Sequence, residues 1–334
     1  MGIKNYSKSL TLEDIKTKER IYDNLLIDCN YLIYYLIYKC TNQIEFDKKI
    51  YNFINNLLSL INIKNKIFLV FDGKYDKKFV INPKQLTIEN RIKYLKQSDD
   101  FDKQEIKPKS KIISDFKSAL IQSLEQIKKI NKKKFEIFVN DDYVDGEADI
   151  KILELINSNK DKSYCLLSKD TDMILISYSL ILKNNIEIDI IFSLRPLLFV
   201  DINKIVIKYY NFEKDYILIL LLLGNDFLPS ASHIDYNILI NSYQKYKLHT
   251  NKKIIRKNKI KINNLIMFIT YYIITKNIKF NNNTIDDKRF ITYYNNLLWT
   301  LNYYKVIDIN IDYIPNSINN VINVYNFINN SIFY

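Results

Sequence analysis

The sequence predicts an α/β fold with a central, mostly parallel sheet flanked by helices, and three observations carry that reading. Short apolar segments alternate with longer stretches in which apolar residues recur every three or four positions, the rhythm of strand and helix in turn. Several short segments deliver acids to their ends: Leu25-Leu26-Ile27-Asp28, Phe68-Leu69-Val70-Phe71-Asp72-Gly73, Tyr164-Cys165-Leu166-Leu167 followed by Asp170 and Asp172, and the run 217–223 followed by Gly224-Asn225-Asp226. The chain has four glycines, and apart from Gly2 each sits in an acidic stretch: Gly73, Gly146 and Gly224. A sequence so sparing of glycine keeps it where the backbone turns tightly or approaches a ligand.

Residues 21–28 read as a buried strand and 31–40 as an apolar helix. Over 46–61, Phe46, Ile50, Phe53, Ile54, Leu57 and Leu58 share one side of a second helix, and 66–72 is a fully buried strand of the kind found in covered parallel sheets. Residues 74–134 break the rhythm, holding 17 basic and 8 acidic residues, a net +9 of the chain's +12. They comprise a polar middle at 97–109 and an amphipathic helix striped by Ile113, Phe116, Leu120, Leu124 and Ile127. The expectation is a basic helical insertion over the carboxyl edge of the sheet, able to contact phosphates; the alternative is a solvated excursion.

The sheet resumes at 135–139, a helix with Ile150, Leu153 and Ile156 begins near Gly146, and 163–167 is the next strand. An edge strand is expected at 186–192, a short strand at 197–200, and helices at 202–209 and 214–223, the second stopped by Gly224. Beyond Pro229 the composition shifts to Asn, Lys, Ile and Tyr, with helices clearest at 260–275 and 289–304. The division expected is a core of residues 1–235, insertion included, and a helical C-terminal region of residues 236–334.

Basic residues exceed acids by 49 to 37, which suits a polyanionic partner; AT-rich coding bias is the competing explanation. Three cysteines without a CxxC pair fit neither a disulfide framework nor a zinc site. The amino terminus lacks a signal-peptide apolar segment, and the run 217–223 is too short to cross a bilayer. The expectation is a soluble cytoplasmic protein with no membrane partner.

Collected at strand ends, the acids are Asp28, Asp72, Glu147, Asp149, Asp170, Asp172 and Asp226. In an open parallel sheet the carboxyl ends of the strands share one edge, so distant residues meet in one cleft. Seven carboxylates there would repel and protonate unless cations sat among them. Oxygen donors select hard ions, Mg²⁺ or Mn²⁺, and a pair of such ions roughly 4 Å apart suits phosphodiester hydrolysis. Any one acid pair is a weak signal, but five acid stretches in an α/β rhythm are a strong one. With His233 and His249 alone, and no Walker loop, Rossmann fingerprint or GxSxG elbow, other chemistries lack their residues.

Phe71-Asp72-Gly73, Gly146-Glu147-Ala148-Asp149, Asp170-Thr171-Asp172 and Gly224-Asn225-Asp226 resemble, in order, the acidic motifs shared by flap endonucleases and the Xrn family of 5′→3′ exoribonucleases. Residues 222–229 resemble the exoribonuclease branch, as does the stretch 293–304, similar to a Trp and Tyr-Tyr motif of that family. The resemblance implies a PIN-like nuclease core, two bound Mg²⁺ or Mn²⁺ ions, and release of nucleoside monophosphates from single-stranded RNA, with DNA as the alternative substrate. It assigns Asp28, Asp72 and Glu147 mainly to one ion and Asp170, Asp172 and Asp226 to the other, with Asp149 between. Asp149 replaces the family's usual Glu, and Tyr34 stands where a His stacks on the first base. The helix that grips a 5′-monophosphate corresponds to Arg91, Lys93, Lys96 and Gln97. The short chain implies a compact form, of viral or similarly AT-rich origin, acting in a host cytoplasm. Trp299 reads as a core residue with base stacking as the alternative, and Lys252, Lys253, Arg256, Lys257 and Lys259 as a backbone track or a solvated loop. The rival readings are a flap-type DNA nuclease and a nuclease-like RNA-binding scaffold without turnover.

Overall fold

Strand β2 (Arg20–Asp28) is the axis of the molecule. Leu25 and Ile27 point to one face and Leu26 to the other, as strand alternation requires, and all three are buried, so both faces must be covered. The computed structural model describes residues 6, 15–16, 20–37, 40–73, 106, 108–159, 161–194, 197–225, 228, 230, 234–277 and 287–308. Next come α1 (Cys29–Ile37), α2 (Gln43–Leu60), β3 (Ile61–Val70), α3 (Lys111–Ile130), β4 (Glu136–Asn140), α4 (Ala148–Ser158) and β5 (Ser163–Leu167). They are followed by α5 (Asp172–Lys183), β6 (Glu187–Leu194), β7 (Leu197–Asp201), α6 (Ile202–Lys208) and α7 (Lys214–Leu221). The C-terminal region holds α8 (Tyr236–Thr250), a hairpin of β8 (Ile255–Arg256) and β9 (Lys259–Ile260), α9 (Ile262–Lys276) and α10 (Asp287–Tyr303). A two-residue strand, β1 (Ile15–Lys16), precedes β2.

The main sheet has the order β1-β7-β6-β5-β2-β3-β4. The five strands from β6 to β4 are mutually parallel, and β7 and β1 add antiparallel pairings at one side. The α/β class and the mostly parallel sheet are therefore as the sequence indicated. One strand is placed differently: residues 186–192 were expected at an edge, but β6 lies inside the sheet because β7 pairs antiparallel along it from Asp189 to Leu194, with a register shift between Ile191 and Ser193.

One face carries Leu25, Ile27, Ile67 and Leu69 against α1, α2 and α3. The α2 helix starts where Asn42 accepts a hydrogen bond from Glu45 N at 2.9 Å, satisfying an otherwise orphaned donor. Its Phe46 stacks on Phe116 of α3, ring centroids 5.7 Å apart. So the amphipathic stripe read as part of an insertion belongs to a helix of the core layer: Phe116, Leu120, Leu124 and Ile127 are fully buried. Within 74–105 no residue is described. The other face carries Leu26, Phe68 and Val70 against α4 to α7, and one continuous hydrophobic cluster runs from there through α8, α9 and α10.

Candidate metal centre

Parallel pairing sets the acids level. Asp28 pairs with Val70, placing Asp72 two residues beyond it on the neighbouring strand, and Ile27 pairs with Leu167, placing Ser168 beside Asp28. The loops at this edge then anchor each carboxylate. Asp28 accepts from Tyr31 N at 3.0 Å and from Ser168 Oγ at 3.1 Å. Asp72 Oδ1 accepts from Ala148 N at 2.7 Å and its Oδ2 from Asn30 Nδ2 at 2.8 Å, while Asn30 Oδ1 takes Asp72 N at 3.0 Å. Ser168 Oγ also receives Asp170 N at 3.3 Å, and Asp170 Oδ1 receives Asp172 N at 3.0 Å. Glu147 stands at the N-cap position of α4 and Asp149 lies in its first turn, where the helix dipole favours negative charge.

Asp28 feels its neighbours. Burial pushes the Asp28 carboxyl up to about 7, and the charge of Asp72, then more weakly that of Asp170, pushes the same way. A buried group so placed ionises fully only when a cation joins it. Among the described residues no three carboxyl, imidazole or thiol groups stand ready as a cage. The fit to a metal lies in donor chemistry: oxygen donors converging from several strand ends, at a mutual electrostatic cost that a hard divalent ion would remove. Asp226 lies outside the described residues. Its flanks form a closed turn, with Asn225 N donating to Leu228 O and Leu228 N to Asn225 Oδ1, each at 2.9 Å. Gly224 supports that turn with a φ of 87°.

Two sets of partners at this edge were not assigned a role from sequence. The first is Lys151, buried on α4 behind Asp72. Its Nζ donates to Phe71 O at 2.7 Å, Val144 O at 2.7 Å and Asp141 O at 3.0 Å, tying the β3 end to the loop that leads to Glu147. The same loop explains Gly73: a Cβ there would stand 1.7 Å from Val144 O, and Gly73 N donates to Gly146 O at 2.8 Å. The second is the pair Tyr303 and Tyr304 at the end of α10. Tyr304 Oη donates to Asp172 Oδ2 and also accepts from Asn225 Nδ2 at 3.0 Å. Burial, then the charges of Glu147 and Asp149, hold the Tyr303 phenol well above its usual range, and its hydroxyl hydrogen-bonds Glu147. A lysine two residues after Asp149, and a Tyr-Tyr pair in the motif region, were the available signals.

The remaining expected residues divide. Tyr34 sits half-buried on α1, directly after the Asp28 strand, with its hydroxyl 3.5 Å from Ile106 O. Arg91, Lys93, Lys96 and Gln97 lie outside the described residues. Trp299 is 7% exposed and stacks on Tyr303 at 4.8 Å, a core position. Cys29, Cys40 and Cys165 are buried. Among the described residues no helix is long and apolar enough to cross a membrane.

Residues 74–191 match the family described as the XRN 5′-3′ exonuclease N-terminus. No curated protein matches the chain. Among solved structures, the catalytic core of Rad2 in complex with DNA substrate (complex II) is 13% identical with a TM-score of 0.44, covering 96% of this chain and 91% of that one. The catalytic core of Rad2 (complex I) is 12% identical with a TM-score of 0.43, covering 100% and 96%. T5 5′-exonuclease with bound divalent zinc is 12% identical with a TM-score of 0.36, covering 76% and 89%. The matched segment 74–191 contains Glu147, Asp149, Asp170 and Asp172, and the fold brings Asp28 and Asp72 to the same sheet edge, so the part of the chain that is similar to the XRN 5′-3′ exonuclease N-terminus is the part that carries four of the seven acids.

Proposed function

We propose that this protein is a 5′→3′ exoribonuclease that hydrolyses single-stranded RNA from a 5′-monophosphate end, with two Mg²⁺ or Mn²⁺ ions held by Asp28, Asp72, Glu147, Asp149, Asp170, Asp172 and Asp226. The observation that carries the reading is the placement of Asp28, Asp72 and Asp170 at the ends of three adjacent parallel strands, where the charges of Asp72 and Asp170 push the buried Asp28 carboxyl up. Bound ions would supply a metal-poised hydroxide and a clamp on the scissile phosphate. The chain's own residues hold the ligands still. Asn30 and Ala148 N fix both oxygens of Asp72, Ser168 steers Asp28, and Tyr304 with Asn225 steers Asp172. The two tyrosines sort the acids as the proposed ligand sets do, Tyr303 beside Glu147, Asp149 and Asp72, Tyr304 beside Asp172 and Asp170.

In this reading Tyr34 stacks on the first base, and Arg91, Lys93, Lys96 and Gln97 grip the terminal phosphate through charge-assisted hydrogen bonds. Residues 1–235 form the catalytic core and the helices after 235 close over it, in the reducing cytoplasm that three cysteines without a CxxC pair suit. The test is Mg²⁺-dependent turnover on end-labelled RNA and DNA oligonucleotides bearing 5′-monophosphate, hydroxyl or triphosphate. Mononucleotides released first from monophosphorylated RNA are expected. Internal cuts, or equal rates on all three ends, would replace the reading with a structure-specific endonuclease.

A further inference from the structure

A second basic feature lies away from the acids. Residues 251–264 contain six basic residues and no acid, and they fold into the β8–β9 hairpin with its two shoulders. Beside the hairpin opens a cavity of about 770 Å³, lined by Lys252, Lys253, Arg256 and Lys261 with Asn263 and Asn264. Lys253 is engaged, its Nζ 2.7 Å from both carboxylate oxygens of Glu213. Among the described residues Lys252, Arg256, Lys257, Lys259 and Lys261 have no carboxylate partner. The hairpin turns through Lys257 and Asn258 with φ of 50° and 58°, the left-handed pair of a tight hairpin turn. That conformation is uncommon for a side chain such as lysine, yet here it holds a cation at the tip.

The scaffold beneath is rigid. Asp215 accepts from Ile254 N and Ile255 N, each at 2.7 Å, and Asn264 Nδ2 donates to Lys253 O at 2.8 Å. These ties fasten the hairpin to the first turn of α7, whereas Asn225 and the acid edge lie beyond the last. Eight residues of helix separate the two ends, about 12 Å at helical rise. A strand touching both must be several nucleotides long.

We propose that this cavity is a seat for backbone phosphates of single-stranded RNA, engaged at a distance from the metal centre; it rests on the nuclease reading above. Cations without carboxylate partners around an open concavity suit phosphodiester oxygens, and such interactions are indifferent to base identity. The seat raises affinity for long strands and leaves short ones untouched.

The experiment compares wild type, Lys252→Glu/Arg256→Glu and a charge-matched control, Lys48→Glu/Lys129→Glu, on exposed positions of α2 and α3. Binding of fluorescein-labelled RNA 4-mers and 20-mers is read by anisotropy in EDTA across a salt series, and turnover of both lengths in Mg²⁺. For the seat variant the 20-mer is expected to bind about tenfold or more weakly, with a salt slope shallower by about 0.7 for each phosphate no longer neutralised. Its 4-mer turnover is expected to equal wild type. Equal losses for 4-mer and 20-mer, a control variant that loses as much, or no loss would each overturn the seat. If wild type binds the 20-mer through these residues but hydrolyses neither length, the seat stands and the nuclease reading falls.

Discussion

Tyr304 Oη donates a 2.5 Å hydrogen bond to Asp172 Oδ2, joining the last described helix to the first residue of α5 across 132 positions of sequence. Both residues are buried, so the bond works in a medium where a missing partner is costly. Hydrogen bonds to ligating carboxylates orient the ligand, and losing one typically weakens metal affinity by about 10- to 100-fold. Tyr304→Phe keeps the ring and removes the hydroxyl that donates to Asp172 and accepts from Asn225. A Mg²⁺ titration of turnover is expected to show a half-saturation raised by about that factor, with the rate at saturating metal within a few-fold of wild type. An unchanged half-saturation would separate Tyr304 from the site.

Asp170→Asn and Asp172→Asn remove charge from two of the proposed ligands at nearly constant volume. Loss of a key electrostatic group costs on the order of a hundredfold or more in rate. Turnover on RNA is expected to fall by at least that much, while circular dichroism and the thermal midpoint stay close to wild type. Retention of a tenth of the activity or more would break the assignment.

Much of this architecture was legible because parallel strands leave a plain signature. Buried runs such as Leu25-Leu26-Ile27 and Cys165-Leu166-Leu167 have no polar alternation to confuse them, and the acids at their ends mark the edge they share. What stayed hidden depends on partners distant in sequence. The place of β6 is decided by β7 folding back along it, and nothing in 186–192 reports that. The core role of α3 was masked by the net charge around it, because its apolar stripe is buried while charged residues such as Lys111 and Lys129 stay exposed. Nothing in the sequence sets Lys151 apart in a basic chain, and only the three carbonyls converging on its Nζ reveal it. Tyr303 and Tyr304 were visible as a motif, yet their carboxylate partners lie more than a hundred residues upstream.

Asp215 fastens the C-terminal hairpin to the core by accepting from Tyr243 Oη at 2.5 Å and from Ile254 N and Ile255 N. Burial raises its carboxyl above the ordinary aspartate value, outweighing the three donors that pull it down. A carboxyl whose folded pKa exceeds its unfolded one contributes stability that is fully present below the unfolded value and is lost as pH rises through the folded one. Asp215→Asn turns an amide N–H toward donors, and each buried donor left unsatisfied costs about 1–3 kcal/mol. Urea unfolding is expected to show the variant less stable at every pH, with a gap from wild type that narrows as pH rises from the unfolded aspartate range through the raised folded value. A gap that widens with pH would mean the ionised form is the one the pocket prefers.

Lys151 and Gly73 make a linked pair of tests. The Lys151 ammonium fills a tripod of carbonyls from Phe71, Asp141 and Val144, and Gly73 leaves room for that same Val144 carbonyl to approach. Lys151→Met keeps the stem and removes three hydrogen bonds, leaving buried acceptors that cost about 1–3 kcal/mol each. Lys151→Arg keeps the charge, but a planar fork cannot point at three oxygens arranged around a single nitrogen. Both are expected to destabilise the protein, Met by several kcal/mol, and to slow turnover because the loops carrying Asp72 and Glu147 lose their common anchor. Gly73→Ala drives a methyl into Val144 O, so the loop must move; it is expected to reduce turnover as Lys151→Met does. Because all these substitutions act on one loop, their effects should be strongly non-additive in a double mutant. Full additivity of Lys151→Met with Gly73→Ala, read by denaturation and by rate, would show that the lysine and the glycine serve separate purposes.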